Sequence, residues 1–349
     1  MDASSADVAA FDRFRDGVKA RIDARLTAWL AARGEQARAL GADVAAMHDA
    51  IAALASRGGK RLRPVLLEAA YVGCGGAGDV AMAGVALELL QAYLLAHDDW
   101  MDDDDVRRGG PSVHAALRER FGSSHQGDAG GVLAGDYAAA LALDALLETP
   151  APADRLVVAA RELARVQSEV TKGQLLDLRA TAETPAAVEQ VHALKTASYT
   201  TIAPVAMGAA LAGANASKRE ALARFAAPLG VAFQLRDDLL GTFGDPSAIG
   251  KAVGGDLRQG KRTALVAEAM ADAECRRLLP RVLGVSDADD DEVAALVARI
   301  VACGARARVE ARLAALAKQA SSALVEIELG GGAASVMRGA IAALVERER

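Results

Sequence analysis

The stretch Asp79–Asp103, DVAMAGVALELLQAYLLAHDDWMDD, decides how the rest of the chain is read. Its first part is apolar nearly all round. A helix with no wide polar face belongs in the interior of a helical protein. It then runs into acid: six of the eight residues from Asp98 to Asp105 are aspartate, and Arg107 and Arg108 follow. On a helix, Asp98 and Asp102 lie on one face, one turn or about 5.4 Å apart. Unpaired, such carboxylates repel and weaken the helix. With a cation between them the arrangement makes sense, and hard carboxylate oxygens suit Mg²⁺. The competing reading is a solvated acidic helix end. The apolar run behind the aspartates weighs against it. The alternating spacing and central glycine of a calcium loop are missing.

Composition agrees with an all-helical chain. Hydrophobic residues make up 52% of the 349, yet aromatics only 3%. Alanine and leucine therefore carry the apolar content, and both favour helix over strand. The net charge of -6, with no basic stripe, gives no reason to expect nucleic acid. Cys74, Cys275 and Cys303 are odd in number and widely spaced, which suggests neither a disulfide framework nor a zinc site. The charged N-terminus lacks the apolar core of a signal peptide. No apolar run reads as long enough to span a bilayer. These features predict a cytoplasmic protein without stable membrane insertion.

Helical periodicity recurs along the chain. A first helix is expected to stop at Gly34 and a second at Gly58-Gly59. A glycine-rich break is expected at Gly127–Gly131, and helices at Asp154–Thr181, Pro185–Ala212 and Ser217–Phe243. GDPSAIGKAVGGDLRQGKRT is then the longest non-helical stretch, of the kind that often carries function. No repeat or long linker divides the chain, so a single domain over residues 1–349 is expected.

A second acidic pair, Asp237 and Asp238, lies in FQLRDDLLGTFGD on another apolar helix. Two such pairs facing each other across a cavity would hold divalent cations, which in turn bind a polyanion such as diphosphate. Cations stand in clusters that fit this purpose: Lys60, Arg61 and Arg63 in GGKRLRP, Arg107 and Arg108 in RRGG, Lys195 in KTASY, and Lys251, Lys261 and Arg262 beside glycines. Glycine lets backbone approach an anion, arginine forks match phosphate oxygens, and lysine acts as a point charge.

Taken in order, GGKRLRP, LLQAYLLAHDDWMDDDDVRRGGP, GQLLDL, KTASY, FQLRDDLLGTFGDP and GKAVGGDLRQGKRT resemble the motifs of the trans-type polyprenyl diphosphate synthases. The resemblance covers nearly the whole chain. It implies an all-α, single-domain isoprenoid-synthase helical barrel around a central deep cavity. It also implies a homodimer, with residues 1–35 as an N-terminal helix near the interface. Asp98 and Asp102 would bind Mg²⁺ with support from Asp99, and Asp237 would do so with Asp238 nearby, in a cluster of three ions. Arg107, Lys195, Thr196, Gln234, Lys251 and Lys261 would hold an allylic diphosphate. Gly59, Lys60, Arg63, Gln91 and Arg108 would hold isopentenyl diphosphate, and Gln174 and Asp177 would line the site. The implied reaction joins the two substrates into a short-chain prenyl diphosphate. Tyr93 and Leu94, one turn before the aspartates, would set its length.

One departure stands out: Gly241 occupies the position where the family's second acidic motif usually carries a third aspartate. Asp245 lies a further turn on. Two other functions are compatible with helices and metal. A class I terpene cyclase needs no isopentenyl site and carries an Asn/Ser/Glu triad in place of Asp237-Asp238. A non-catalytic subunit of a heteromeric synthase would be expected to have lost one acidic motif.

Overall fold

The computed structural model describes residues 4–244 and 254–345. Lys251 and Asp245 therefore lie outside the described residues. The protein is all-α. Among the described residues the only strands form a small antiparallel hairpin, β1 (Val106–Arg107) with β2 (Gly110–Pro111). The chain gathers into two compact units. The first comprises Asp12–Leu163 and Met207–Gly213, the second Met1–Phe11, Ala164–Ala206 and Ala214–Arg349.

The first unit is built on α4 (Ala81–Met101), the helix expected to be central. Val85, Ala86, Leu87, Leu89 and Leu90 are fully buried. Around it stand α1 (Ser5–Leu40), α2 (Ala42–Ser56), α3 (Leu62–Gly73), α5 (Val113–Phe121) and α6 (Ser124–Leu147). Two expected helix breaks do not occur. α1 runs through Gly34 and ends only before Gly41, whose φ of 133° a side chain would resist. α6 runs straight through Gly127, Gly131 and Gly135. Those glycines are a packing device. A Cβ on Gly127 would lie 2.5 Å from Arg118 Cγ, and one on Gly131 would lie 2.7 Å from His114 Cβ. One on Gly135 would overlap the His97 ring. Recurring every fourth residue, they let α5 and α4 close onto one face of α6.

α6 also corrects the expectation about apolar runs. With 24 residues and a mean hydropathy of 1.4 over its best window, it is long and apolar enough to cross a membrane. Its glycine face is instead packed within the first unit.

A buried ion network ties α1, α3 and α4 together. Arg61, left-handed at φ 50°, precedes α3 and donates from Nε to Asp23 Oδ1 at 2.7 Å. It also pairs with Glu88 on α4. The Arg61 and Glu88 side chains are 2% and 3% exposed.

The second unit centres on α10 (Ala216–Phe243), against which α15 (Ala305–Val325) packs. Phe225, Leu229 and Leu235 of α10 are buried. The expected helix over Pro185–Ala212 is present as α8 (Pro185–His192), a π-helix (Ala193–Ile202) and α9 (Ala203–Ala212). The remaining elements include α7 (Ala153–Leu178), α11 (Gly255–Arg258), α12 (Ala264–Ala269), α13 (Ala273–Val282), α14 (Asp290–Ala302) and α16 (Ala333–Val345). The N-terminal turn is fastened to α16: Asp7 accepts from Ser335 and Arg338, which hold its carboxyl well below the usual range.

Candidate active site

In the first unit the site is made by the way α4 ends. Asp102 N–H bonds to Asp98 O at 2.9 Å, so Asp102 stands one turn past Asp98 as expected, although it is the capping residue. Asp103 is left-handed at φ 53°. Its N–H bonds to Trp100 O, and Asp104 N–H bonds to Asp99 O at 2.8 Å. This pair of bonds is a Schellman cap, with aspartate where glycine is usual. It turns the chain sharply into the β1–β2 hairpin. Arg57 holds that hairpin, donating from Nη1 to the carbonyls of Arg107 (3.1 Å) and Pro111 (2.7 Å).

A helix C-terminus is the wrong end for negative charge, so cations are required. Arg107 donates from Nε to Asp99 Oδ1 at 2.6 Å, reaches Asp104 at 3.3 Å and lies 3.9 Å from Asp98. Arg118 gathers Asp103, Asp105 and Asp128. Asp99 is fully buried, and burial pushes its carboxyl up to about 6 even though Arg107 favours the ionised form. Its expected metal role thus meets a different setting: the carboxylate anchors Arg107. Asp98 is partly exposed and Asp102 exposed. All donors on this rim are carboxylate oxygens apart from His114, whose Nε2 lies 3.4 Å from Asp105 Oδ1. That chemistry fits a hard divalent cation.

The residues expected to hold isopentenyl diphosphate lie in the same unit. Gly59, at φ 104°, leaves the Arg108 guanidinium 3.8 Å from the place a Cβ would take. Arg108 donates to Arg57 O at 3.2 Å. Arg63 is buried and Lys60 exposed. Gln91, Tyr93 and Leu94 are half-buried on α4. Tyr93 packs edge-on to His97, with ring centroids 5.1 Å apart.

In the second unit the π-helix carries Lys195 and Thr196, and it is pressed between two glycines. A Cβ on Gly173 of α7 would lie 2.8 Å from Lys195 Cα, and one on Gly230 of α10 would lie 2.5 Å from Ala197 Cβ. π-helical turns cluster at functional sites. Here the close packing aims Lys195 Nζ at Asp177 Oδ2 (2.5 Å) and Thr196 Oγ1 at Gln234 Oε1 (2.8 Å). Gln234 Nε2 continues to Asp238 Oδ1 at 3.1 Å. Asp238 Oδ2 accepts the Ala264 N–H at 3.0 Å and lies 3.4 Å from His192 Nε2. Burial pushes the Asp238 carboxyl up. With both oxygens engaged inside the protein, Asp238 joins α10 to α12, while the neighbouring Asp237 is only half-buried. Lys261 Nζ lies 3.3 Å from Asp256 Oδ1.

Several of these residues were not foreseen. Arg57, Gly173 and Gly230 act through contacts far away in sequence. Arg61 was read with its basic neighbours but is buried in an ion network. Asp256 had a usable signal, an acid between Lys251 and Lys261 in GKAVGGDLRQGK.

Comparison with known proteins agrees with the all-α fold. The sequence matches the family described as "Polyprenyl synthetase" over residues 44–300. A short chain isoprenyl diphosphate synthase of Methanocaldococcus jannaschii is 34% identical over 242 residues, 68% of this chain and 70% of that one. A (2E,6E)-farnesyl diphosphate synthase of Mycobacterium bovis is 38% identical over 256 residues, 70% of this chain and 67% of that one. Among solved structures, a geranylgeranyl pyrophosphate synthase from Corynebacterium glutamicum, complexed with isoprenyl diphosphate and magnesium, is similar with a TM-score of 0.87. It is 31% identical, and the match covers 97% of this chain and 99% of that one. The aspartate-rich cap on α4, the lysine-bearing π-helix and a match over most of the length lead to one conclusion: the chain belongs to the polyprenyl synthetase family.

Proposed function

We propose that this protein is a Mg²⁺-dependent trans-prenyltransferase. It condenses isopentenyl diphosphate with an allylic diphosphate (dimethylallyl, geranyl or farnesyl). The product is a short-chain prenyl diphosphate, farnesyl or geranylgeranyl. The observation that carries this reading is the end of α4, where buried Asp99 anchors Arg107 close to Asp98.

Asp98 and Asp102, and also Asp237, are the residues that would hold Mg²⁺, in a set of three ions. Mg²⁺ held there would neutralise charge on a leaving diphosphate. Arg107, Lys195, Thr196, Gln234, Lys251 and Lys261 bind the allylic diphosphate. The Asp177 carboxylate accepts from Lys195 Nζ and holds it in place, and Gln234 orients the Thr196 hydroxyl. Gly59, Lys60, Arg63, Gln91 and Arg108 bind isopentenyl diphosphate. The apolar wall of α4 excludes water from the allylic cation, which water would otherwise quench.

The pure protein, given radiolabelled isopentenyl diphosphate, an allylic starter and Mg²⁺, is expected to incorporate label into a farnesyl or geranylgeranyl product. No incorporation with any starter would instead favour a non-catalytic subunit. Tyr93, braced against His97, is the proposed limit on chain length. In the same assay Tyr93→Ala should shift the product to longer chains by chromatography, and an unchanged product refutes the assignment.

A homodimer has support from α6. Ala129, Leu133, Asp136, Ala140, Leu143 and Leu147 are all exposed. They alternate at spacings of four and three, the seam of a paired helix. Leu133 and Leu147 are 60% and 54% exposed. Light scattering is expected to give twice the 35.9 kDa chain mass, and a monomer at micromolar concentration would count against the pairing.

A further inference from the structure

We propose that Arg57 is a positioning residue for the isopentenyl diphosphate site, and that Gly110 is the residue that makes room for it. The proposal rests on the prenyltransferase reading and deepens it. The β1–β2 hairpin turns through Arg108 and Gly109, at φ 52° and 72°. Two-residue turns with both φ values positive suit antiparallel strands, but the left-handed region disfavours a side chain such as that of Arg108. Such a conformation persists only where its surroundings fix it. Arg57 fixes it from the end of α2. Its Nη1 donates to Arg107 O at 3.1 Å on one strand and to Pro111 O at 2.7 Å on the other. Both hydrogens of that nitrogen are thereby used. In return, Arg108 Nη1 donates to Arg57 O at 3.2 Å. The clasp closes from both sides: the Arg57 side chain grips the hairpin backbone, and the Arg108 side chain grips the backbone of Arg57.

Gly110 completes the fit. Unlike Gly109, it is not in the left-handed region, so its backbone does not call for glycine. A Cβ there would lie 2.6 Å from Arg57 Nη1 and 2.7 Å from Arg57 Cζ. The missing side chain is the seat of the guanidinium. A cation at the C-terminus of α2 is favoured by the helix dipole alone. That accounts for the charge of Arg57, but neither for the two carbonyls nor for the glycine. The clasp sets the span between two parts of one site. Arg57 leads directly into Gly58, Gly59 and Lys60. A Cβ on Gly59 would lie 3.8 Å from Arg108 Nη1. Lys60 and Arg108, both assigned to isopentenyl diphosphate, are thus tied together through Arg57. Arg107 has a separate anchor in buried Asp99. Loss of the clasp should therefore fall on isopentenyl diphosphate far more than on the allylic diphosphate.

The test reads the two ligands apart. Binding of isopentenyl diphosphate and of geranyl diphosphate, each alone with Mg²⁺, is measured by calorimetry, with thermal melts of the same samples. Arg57→Ala should weaken isopentenyl diphosphate binding roughly 10- to 100-fold, the scale on which a misplaced binding group is felt. Geranyl diphosphate binding should change only a few-fold. Arg57 is half-buried, so the melting midpoint should stay near that of the parent. Gly110→Ala displaces only the tip of a flexible side chain and should reproduce the same selective loss. The double variant Arg57→Ala/Gly110→Ala should be no worse than Arg57→Ala, because both changes remove one contact. Parent-like binding by either single variant overturns the proposal. So do equal losses for the two ligands, a double variant whose losses multiply, or a parent that binds neither ligand. If Arg57→Ala does not fold, Gly110→Ala decides by itself. The condensation assay on the parent is scored separately. A parent that binds both ligands but incorporates no isopentenyl unit removes the enzymatic reading and leaves the positioning role intact.

Discussion

Asp98→Ala is expected to lower kcat roughly 10²- to 10³-fold, the usual cost of removing one preorganised electrostatic contact to a transition state. Folding should be almost unaffected. Asp98 sits in the last turn of α4, where the helix dipole is already negative. Asp99 and Asp104 lie near it, and Arg107 stands 3.9 Å from its Oδ2. Removing the carboxylate relieves repulsion about as much as it loses attraction. The separation of the two effects makes the result diagnostic. Kinetics across a Mg²⁺ series, with a thermal melt of the same sample, would show lost turnover at an unchanged midpoint. Full kcat at every Mg²⁺ concentration would remove Asp98 from the machinery.

The largest stability effect is expected at a residue with no assigned contact to substrate. Arg61→Ala should cost on the order of 3–5 kcal/mol, the range for breaking a buried ion pair from one side. Glu88 would be left 3% exposed without its guanidinium. Asp23, half-exposed, retains Lys19 and suffers less. A second variant separates charge from packing. Arg61→Met with Glu88→Leu removes both charges, and such exchanges are often close to neutral. Both tryptophans, Trp29 and Trp100, lie in the first unit, so their fluorescence in urea reports its unfolding. Equal midpoints for Arg61→Ala and the parent would mean that the buried pair contributes nothing.

The sequence announces some of this architecture and conceals the rest, for physical reasons. The all-round apolar character of α4 and its acidic end are local signals, and both features are present. Glycine is ambiguous by nature. The same residue ends one helix and lets another close-pack, and only the partner across the interface decides. Gly41 is the first kind, Gly127 and Gly131 the second. Asp238 and Asp237 are adjacent and chemically identical, yet one is buried between Gln234 and the Ala264 N–H. That difference arises from α12, far along the chain.

The π-helix at Ala193–Ile202 constrains how this segment can evolve. Each residue of an α-helix advances the chain by about 100°. Deleting one residue between Thr196 and Ile202 would turn everything before the cut by that angle relative to everything after it. Lys195 and Thr196 could then keep Asp177 and Gln234 only if Ala197 and Thr201 gave up the close fit against α10. Changes of length are therefore closed to this stretch.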